Sequence, residues 1–484
     1  MSYLELLKLA SPEAVVVVTA LVVLTVGLAK SNSATICSVL AATGLAIAAG
    51  AVLMLPAHAN LFGGMLIISP LNSLFKMICL GLAFVTVPLM PSEKSLRNPG
   101  EYLAMLLLAT VGLLLLVGSE ELLMIFIGLE LLGLSLYVMA AFDKTDVRSA
   151  EAGLKYFLFG STASAFTLFG ISLVYGMSGS TALASVAQKL SSGSVPPVLA
   201  AGIVMTLIGF AFKIAAAPFH LWAPDAYQGA PIPTAAFIAS GSKVASFVVL
   251  GKIVLVGFGP LVGSSAWHAM MAGWSPVLAA LSALSILLGN FVALAQTNVR
   301  RLLAYSAVAH GGYTLVGIVA GGREGFSATL FYTTIYAITL VGAFAVVGMV
   351  KSETGGDDLQ NFAGLGSRSP LAAACMSIFM LSLAGLPPLA GFFGKFYLFS
   401  VAFQAGGNHG LLWLVIVALF GSFVSLYYYL IVLRAIFVDK ESVPDTRHTS
   451  HFVATATMAV LAAAVLLLGV MPQALVARVI ASLP

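Results

Sequence analysis

The chain is a succession of long apolar stretches separated by short polar connections. A stretch of about 20 apolar residues is long enough to cross the hydrocarbon core of a bilayer as a helix. The pattern predicts an all-α polytopic membrane protein with fourteen transmembrane helices, numbered below as spans 1 to 14. The spans cover residues 12–29, 34–55, 71–90, 101–117, 122–142, 152–175, 198–221, 234–256, 276–296, 302–320, 326–350, 371–403, 411–437 and 452–475.

Two of these spans contain both a proline and a solitary lysine. Span 7 places Lys213 in an apolar run ahead of Pro218, and span 12 places Pro387 and Pro388 ahead of Lys395. Because proline lacks an N–H and its ring clashes with the carbonyl one turn earlier, each span should be broken. We expect span 7 to open about one turn after Lys213. Freed backbone at membrane depth survives only where protein or water satisfies it, so both breaks should face an interior.

The positions of the two breaks predict an internal repeat. With spans 4 to 8 and 9 to 13 taken as units, the broken span is the fourth in each. An odd number of helices per unit gives the two copies opposite orientations, the inverted repeat of secondary transporters, in which broken helices mark the ion site. The predicted divisions are spans 1 to 3 (1–100), the first unit (101–260), the second unit (261–440) and span 14 (441–484).

Loop charges predict the orientation in the membrane. Loops after odd-numbered spans contain most of the basic loop residues: Lys30, Lys94, Arg97, Lys144, Arg148, Arg300, Arg301, Lys351, Arg368, Arg434, Lys440 and Arg447. Loops after even-numbered spans contain only Lys189 and Arg323. By the positive-inside rule the first group is cytoplasmic, so both termini should lie on the opposite side.

Composition excludes several classes of function. The 484 residues are 60% hydrophobic and 8% charged, whereas a soluble protein is about 25% charged. The net charge of +4 comes from basic residues in short loops and does not indicate nucleic-acid binding. Cys37, Cys79 and Cys375 stand singly, so no disulfide, metal or iron–sulfur site is predicted. The chain has no dinucleotide fingerprint, P-loop or HExxH motif, so redox or nucleotide chemistry is expected elsewhere.

Isolated charges within the spans are the candidates for chemistry. A charge at the centre of a spanning helix costs about 2.5 to 3.5 kcal/mol on insertion scales, so such residues usually face a protein or water interior. Glu130 is the only charged residue of span 5, and its expected partner is Lys213. A purely structural ion pair is the alternative, and Lys213 could also extend to the interface. Lys395 is the corresponding lysine of span 12.

Span 8 contains two lysines, Lys243 and Lys252. Nine residues correspond to about 900° around a helix, so the two side chains point to opposite faces. Lys243 lies among Ser240, Gly241 and Ser242 and is expected in the interior, whereas Lys252 is expected to extend to the interface near the span's end. His220 and His310 are additional candidate relay groups, because histidine titrates near neutral pH. A hydrogen-bonded packing role is the alternative for each histidine.

Together the buried lysines and the glutamate are suited to passing protons. Burial away from water lowers the pKa of an amine, and a nearby carboxylate raises it. Opening and closing a pair such as Glu130 and Lys213 could therefore drive a proton step. The energy would have to come from outside the chain.

Five segments resemble a known family. They are LLMIFIGLELLGLSLY, FKIAAAPFHLWAPDAYQGAP, ASGSKVASF, QTNVRRLLAYSAVAHGGY and LSLAGLPPLAGFFGKFYLF. They resemble the antiporter-like membrane subunits of NADH–quinone oxidoreductase (respiratory complex I), and the WAPDAYQGAP segment resembles the subunit N branch more than L or M. The resemblance covers about residues 101–437 and leaves spans 1 to 3 and 14 unassigned.

The resemblance implies fourteen helices with two inverted five-helix units, and one proton channel of a pump driven by electron transfer in partner subunits. By motif, Glu130 and Lys213 are the pair of spans 5 and 7, Lys243 is the central lysine, and Lys395 is the exit-side lysine. FMN, iron–sulfur clusters and quinone are expected in partner subunits, with no cofactor in this chain. The implied partners are other antiporter-like and small helical membrane subunits, in a bacterial inner membrane with both termini periplasmic.

Three other functions remain open from the sequence. A monovalent cation/proton antiporter or a membrane-bound hydrogenase subunit belongs to the same superfamily, and neighbouring genes would distinguish them. A scaffold whose lysines only pack would conduct no protons. A solute symporter would transport its substrate when purified alone.

Overall fold

The structure is a computed structural model that describes residues 3–30, 33–93, 96–191, 196–439 and 452–483. Three of the loop cations used for the orientation, Lys94, Lys440 and Arg447, lie outside these residues.

The described part of the chain is almost entirely helical. The N-terminal third contains α1 (Tyr3–Leu9), α2 (Ser11–Ala29), α3 (Ala34–Leu53), α4 (Pro70–Thr86), α5 (Pro99–Gly118), α6 (Leu122–Ala140) and α7 (Val147–Ser178). The middle contains α8 (Leu183–Leu190), α9 (Pro197–Lys213), α10 (Ala223–Gly229), α11 (Ile232–Phe237), α12 (Lys243–Lys252), α13 (Trp274–Ala293), α14 (Val299–Ala320) and α15 (Gly322–Thr354). The C-terminal part contains α16 (Leu365–Arg368), α17 (Pro370–Ala384), α18 (Ala390–Gln404), α19 (Leu412–Phe437), α20 (Phe452–Val470) and α21 (Gln473–Ser482). A short antiparallel hairpin, β1 (Ala59–Leu61) and β2 (Leu66–Ile68), connects α3 to α4.

Local sequence sets where several helices begin and end. Proline occupies the first position of α4, α5, α9 and α17, where its missing N–H would be unpaired in any case. The side chains of Asp146 and Asn298 accept hydrogen bonds from backbone N–H groups in the first turns of α7 and α14. Gly179 and Gly355 end α7 and α15 with φ of 70° and 79°, a backbone conformation that suits glycine.

The predicted multi-pass membrane fold is confirmed. Within the described residues, twelve helices are long and apolar enough to cross a membrane. They coincide with the predicted spans except 7 and 12. In span 7 the helix ends at Lys213, and the next helix, α10, begins only beyond the predicted end of the span, whereas span 12 is divided into α17 and α18. The count of fourteen, the inverted relation of the two units and the division into 1–100, 101–260, 261–440 and 441–484 stay predictions.

Both predicted breaks are present, but the first begins earlier than expected. Helix α9 ends at Lys213 itself, not one turn beyond it, because Ala215 has a φ of 56° that an α-helix does not allow. The backbone N–H of Ala217 donates to the Ser285 hydroxyl (2.8 Å), which satisfies part of the opened segment. In span 12, α17 ends at Ala384, Gly385 has a φ of 87°, and α18 begins at Ala390.

Span 8 is also irregular. Two π-helical turns, Ile238–Ser242 and Ile253–Gly257, flank α12, which carries a lysine at each end. Such turns replace the regular hydrogen-bond ladder and are frequent at functional sites. Lys243 therefore follows directly after one irregular turn and Lys252 directly precedes the other.

The centre of the molecule consists of helices with little lipid-facing surface. In the span formed by residues 232–257, in α14 and in α15, 94% of the most apolar stretch is buried, against 28% in α2 and 33% in α7. The 33-residue α15 contacts α11, α12, α14, α17, α18 and α20. The interior candidates for chemistry lie on or against these central helices.

Candidate functional site

Glu130 and Lys213 line the same cavity. The cavity is bounded by α6, α7 and α9. The carboxylate of Glu130 accepts a hydrogen bond from the hydroxyl of Ser164 on α7. Among the described residues the two charged groups form no direct ion pair. The predicted partners are therefore brought to one cavity without direct contact in this conformation.

The Lys213 ammonium lies among aromatic rings. Its Nζ atom is 5.9 Å from the ring centre of Tyr137 and 5.8 Å from that of Tyr156, distances at which a cation is attracted to the ring face. Trp222, from the segment after the break, stacks on Tyr156 with ring centres 4.2 Å apart. Its indole N–H donates to the carbonyl of Phe212 (3.1 Å). The segment that follows the break thus returns to enclose the lysine.

A glycine on α6 places the ammonium close to Glu130. A Cβ atom at Gly133 would lie 3.4 Å from Lys213 Nζ. Because residues three apart on a helix share a face, Gly133 and Glu130 are neighbours on α6. Lys213 and Glu130 therefore lie beside the same face of α6.

Lys243 is buried between α12, α14 and α15. Its ammonium donates a hydrogen bond to the carbonyl of Ala307 and lies 5.4 Å from the ring centre of Tyr336. A Cβ atom at Gly311 would lie 4.0 Å from Lys243 Nζ and 3.2 Å from the carbonyl oxygen of Ile214. The opened backbone after Lys213 therefore lies beside the pocket of Lys243. The predicted interior position of Lys243 agrees with this geometry.

His310 is the centre of a buried hydrogen-bond network. Its Nδ1 atom is 2.7 Å from the Tyr332 hydroxyl and its Nε2 atom is 3.0 Å from the Tyr429 hydroxyl, which also pairs with Ser306. The side chain borders a small cavity that is also lined by Gly391 at the second break. His310 thus lies between the pocket of Lys243 and the broken span 12.

Lys395 hydrogen-bonds to the end of the broken helix. Its ammonium donates to the carbonyl of Ala384, the last residue of α17 (3.0 Å), and to the hydroxyl of Ser422 on α19 (2.9 Å). It also lies 5.1 Å from the ring centre of Tyr313. A cation is favourable at a helix C-terminus, where the unpaired carbonyls carry partial negative charge.

His220 lies apart from the lysines. It is in the segment between α9 and α10, beside the ring of Tyr305, with the ring centres 6.2 Å apart. Its Nδ1 atom is buried without a hydrogen-bond partner among the described residues. A direct connection from His220 to Lys213 or Lys243 is not formed in this part of the structure.

The expectation for Lys252 was wrong. The side chain does not extend to the interface but is 3% exposed and donates to Asn72, Val117 and Ser119. Helices α4 and α5 cover this end of α12, a packing that the position near the end of a span does not reveal. Lys252 belongs to a second buried group of charges that sequence reasoning missed.

Neutral partners were also missed. Ser164, Tyr332, Tyr336 and Tyr429 contact the predicted residues from other helices. Serine and tyrosine are common in this chain, so no single one stands out. Glu13 on α2 and Lys76 on α4 belong to the same buried group of charges as Lys252. These two residues could have been selected from the sequence, because each is a lone charge beside or within an apolar run.

Comparison with known proteins places the whole chain in one group. The profile of the family described as NADH:quinone oxidoreductase/Mrp antiporter, TM, matches residues 119–425. The NADH-quinone oxidoreductase subunit N 2 of Acidobacterium capsulatum is 45% identical, and the match covers 98% of both chains. The matched regions include all six predicted site residues.

Solved structures give the same result. A chain of respiratory complex I from Thermus thermophilus is 33% identical, with a TM-score of 0.80 over 96% of this chain and 98% of that one. A chain of the Mrp complex from Dietzia sp. shares the fold, with a TM-score of 0.84 over 98% and 97% at 21% identity. From the profile, the full-length relative and the first structure together, this chain belongs to the NADH-quinone oxidoreductase subunit N family of antiporter-like membrane subunits.

Proposed function

We propose that this chain carries protons across the membrane as one subunit of a proton-pumping NADH:quinone oxidoreductase. The relay consists of Glu130, Lys213, Lys243 and Lys395. His310 connects the last two lysines, and His220 serves the entry side next to the first break. Electron transfer in partner subunits supplies the energy.

The observation that carries this proposal is the way the three lysines are held. Lys213, Lys243 and Lys395 are 2% to 5% exposed, yet among the described residues none has a carboxylate within ion-pair distance. Their partners are aromatic rings, carbonyls and a hydroxyl. A permanent ion pair would favour the charged form of each lysine, whereas neutral partners in a dry interior leave the proton transferable. A scaffold would more simply use apolar residues at these positions.

Contacts between neighbouring residues support this order of the relay. Lys213 and Lys243 are adjacent through Ile214 and Gly311. From Lys243 the ring of Tyr336 leads to His310, with ring centres 4.9 Å apart. The cavity beside His310 extends to the break that contains the Ala384 carbonyl bound by Lys395. Protons passing along this line would travel parallel to the membrane before leaving it.

The test replaces Lys243 by alanine in the assembled complex. Removing a side chain that transfers a proton slows that transfer by about 100-fold or more. We expect fewer protons moved per NADH oxidised, measured in sealed vesicles alongside the rate of quinone reduction. Lys144→Ala is the matched control, because Lys144 is an exposed lysine in a loop. An unchanged proton-to-electron ratio in Lys243→Ala would contradict the proposal and favour a scaffold.

A cation/proton antiporter is the second candidate, because the matching family also contains Mrp antiporters. It predicts sodium-dependent proton movement without NADH. We expect none. The genes beside the one for this chain should encode flavin and iron–sulfur subunits if the complex I assignment is right.

We further propose that FMN, the iron–sulfur clusters and the quinone site lie in partner subunits. Within residues 3–30, 33–93, 96–191, 196–439 and 452–483, no three His, Cys, Asp or Glu side chains are grouped as a metal site would need. The partners are the other antiporter-like and small helical membrane subunits of the complex.

The proposed location is the bacterial inner membrane, with both termini on the periplasmic side. Exposed Lys144 and exposed Met270 lie in loops assigned to opposite sides. A membrane-impermeant thiol reagent applied to intact spheroplasts should label Met270→Cys but not Lys144→Cys. The native cysteines are buried and provide little background. Labelling in the opposite order would reverse the assigned topology.

A further inference from the structure

A second group of buried charges lies outside the relay. It consists of Glu13 in the first turn of α2, Lys76 on α4, Glu120 between α5 and α6, and Lys252 at the end of α12. We call these four residues the N-terminal charge cluster. The N-terminal helices α2 and α4, to which the resemblance assigns no function, supply half of it.

Lys252 is held mainly by neutral oxygens. Its ammonium donates to the side-chain oxygen of Asn72 (2.5 Å) and to the carbonyl of Val117 (2.8 Å). The carbonyl of Ser119 is 3.4 Å away. The nearest carboxylate oxygen, on Glu120, is 3.7 Å away, a longer separation than a strong ion pair has. The lysine is therefore enclosed without a tight counter-ion.

Lys76 forms the buried ion pair of the cluster. Its Nζ atom is 2.6 Å from a carboxylate oxygen of Glu13, and the two side chains are 4% and 10% exposed. The carboxylate of Glu13 has no other hydrogen-bond donor among the described residues. A buried carboxylate oxygen without a donor is costly, so this pair is not a well-satisfied structural bridge.

The two lysines approach the same short backbone segment. A Cβ atom at Gly118 would lie 3.3 Å from Lys76 Nζ, while Lys252 donates to the carbonyls of Val117 and Ser119 on either side. Two ammonium groups thus meet at residues 117–119, but only Lys76 has a close buried carboxylate.

Glu120 connects this group to water. Its side chain is 36% exposed, and the chain around it is fixed. The carboxylate of the adjacent Glu121 accepts from the backbone N–H groups of Leu123 and Met124 at the start of α6. Glu120 therefore occupies a defined position between the buried lysine and the membrane face at which α5 ends.

We propose that the N-terminal charge cluster is a proton-release site, in which Lys252 passes a proton to Glu120 and Glu120 passes it to water at the α5–α6 junction. An N–H bond of the Lys252 ammonium breaks as an O–H bond forms on the Glu120 carboxylate, which then loses that proton to a water molecule. The neutral amine regains a proton from the relay at the other end of α12. Under the topology proposed above, this face is the one opposite the cytoplasm. The inference rests on the proposed proton-carrying function.

The location fits a release route from the first half of the molecule. Lys243 and Lys252 stand at the two ends of α12, about 13.5 Å apart along its axis. The irregular π-helical turns adjoin both lysines. Release here would let protons leave without passing Lys395.

The experiment compares Lys252→Met, Glu120→Gln and Lys243→Ala in the assembled complex, with Lys8→Met as the control at an exposed lysine of α1. We expect Lys252→Met and Glu120→Gln each to lower the protons moved per NADH oxidised, and Glu120→Asp to restore the ratio. A structural cluster would instead lower the amount of assembled complex and leave the ratio of the surviving complex unchanged. Glu120 is partly exposed, so its substitution keeps the test valid even where Lys252→Met fails to assemble.

The outcomes separate the two proposals. If Lys243→Ala lowers the ratio while Lys252→Met and Glu120→Gln leave it unchanged, the release site is overturned and the proton-carrying function stands. If Lys243→Ala also leaves the ratio unchanged, the proposed function itself fails. A lowered ratio in all three variants supports both.

Discussion

Both broken spans contain one lysine and a break at proline, but the lysine comes before the break in one span and after it in the other. In span 7 the lysine precedes the break, as the last residue of α9, and its ammonium has aromatic neighbours but no hydrogen-bond acceptor among the described residues. In span 12 the lysine follows the break and donates back to the carbonyl of Ala384 on the other half-helix. Lys395 is thus part of what holds its break together, whereas no hydrogen bond within the described residues holds the Lys213 ammonium in place. The difference predicts a mobile lysine at one site and an anchored lysine at the other.

The largest expected effect tests whether both lysines carry protons. We expect Lys213→Ala and Lys395→Ala each to slow the proton transfer that passes through that lysine by about 100-fold or more, because each removes a transferring group. Proton uptake by energised vesicles at a matched rate of NADH oxidation measures this. Full pumping in either variant would remove that lysine from the relay.

The next effect should separate the two lysines. Lys395→Ala leaves the buried carbonyl of Ala384 without its donor, which costs about 1 to 3 kcal/mol. Lys213→Ala leaves no such orphan. We therefore expect a lower thermal transition of the detergent-solubilised complex for Lys395→Ala only. Equal transitions for the two variants would show that the anchored and mobile descriptions are wrong.

A third test compares the crowding at the two sites. A Cβ atom at Gly391 would lie 1.9 Å from the backbone carbonyl of Ser382, whereas at Gly160 it would meet the movable hydroxyl of Tyr137 at 2.0 Å. Overpacking costs about 1 to 3 kcal/mol, and a rigid backbone neighbour places Gly391→Ala at the upper end. The amount of each variant recovered in purified complex, compared with Gly50→Ala in open space, measures the difference.

The smallest expected effect concerns the hydroxyl that helps to anchor Lys395. Ser422→Ala removes one acceptor and should cost about 0.5 to 1.5 kcal/mol. Because the Ala384 carbonyl still accepts from Lys395, pumping should fall only slightly. A loss of stability in Ser422→Ala as large as that of Lys395→Ala would contradict this ranking.

The sequence predicted which charged residues form this site better than it predicted which groups they contact. Long apolar runs fix the spans, and a lone charge within a run is conspicuous, so Glu130, Lys213, Lys243 and Lys395 could all be selected in advance. Whether Glu130 touches Lys213 depends on side-chain positions that no spacing determines. Lys252 was misplaced because proximity to a span's end suggests water, whereas the distant helices α4 and α5 bury that end. Neutral partners such as Tyr429 carry no signal, because their contacts join residues more than 100 positions apart.

The long helix α15 has a mechanical consequence. One of its turns presents Tyr336 to Lys243, and the preceding turn presents Tyr332 to His310. At 33 residues it is about 50 Å long, well beyond the thickness of the hydrocarbon layer. A displacement of α15 along its axis would move Tyr332 and Tyr336 together, because they lie one turn apart on the same helix. The surroundings of His310 and of Lys243 would then change at the same time.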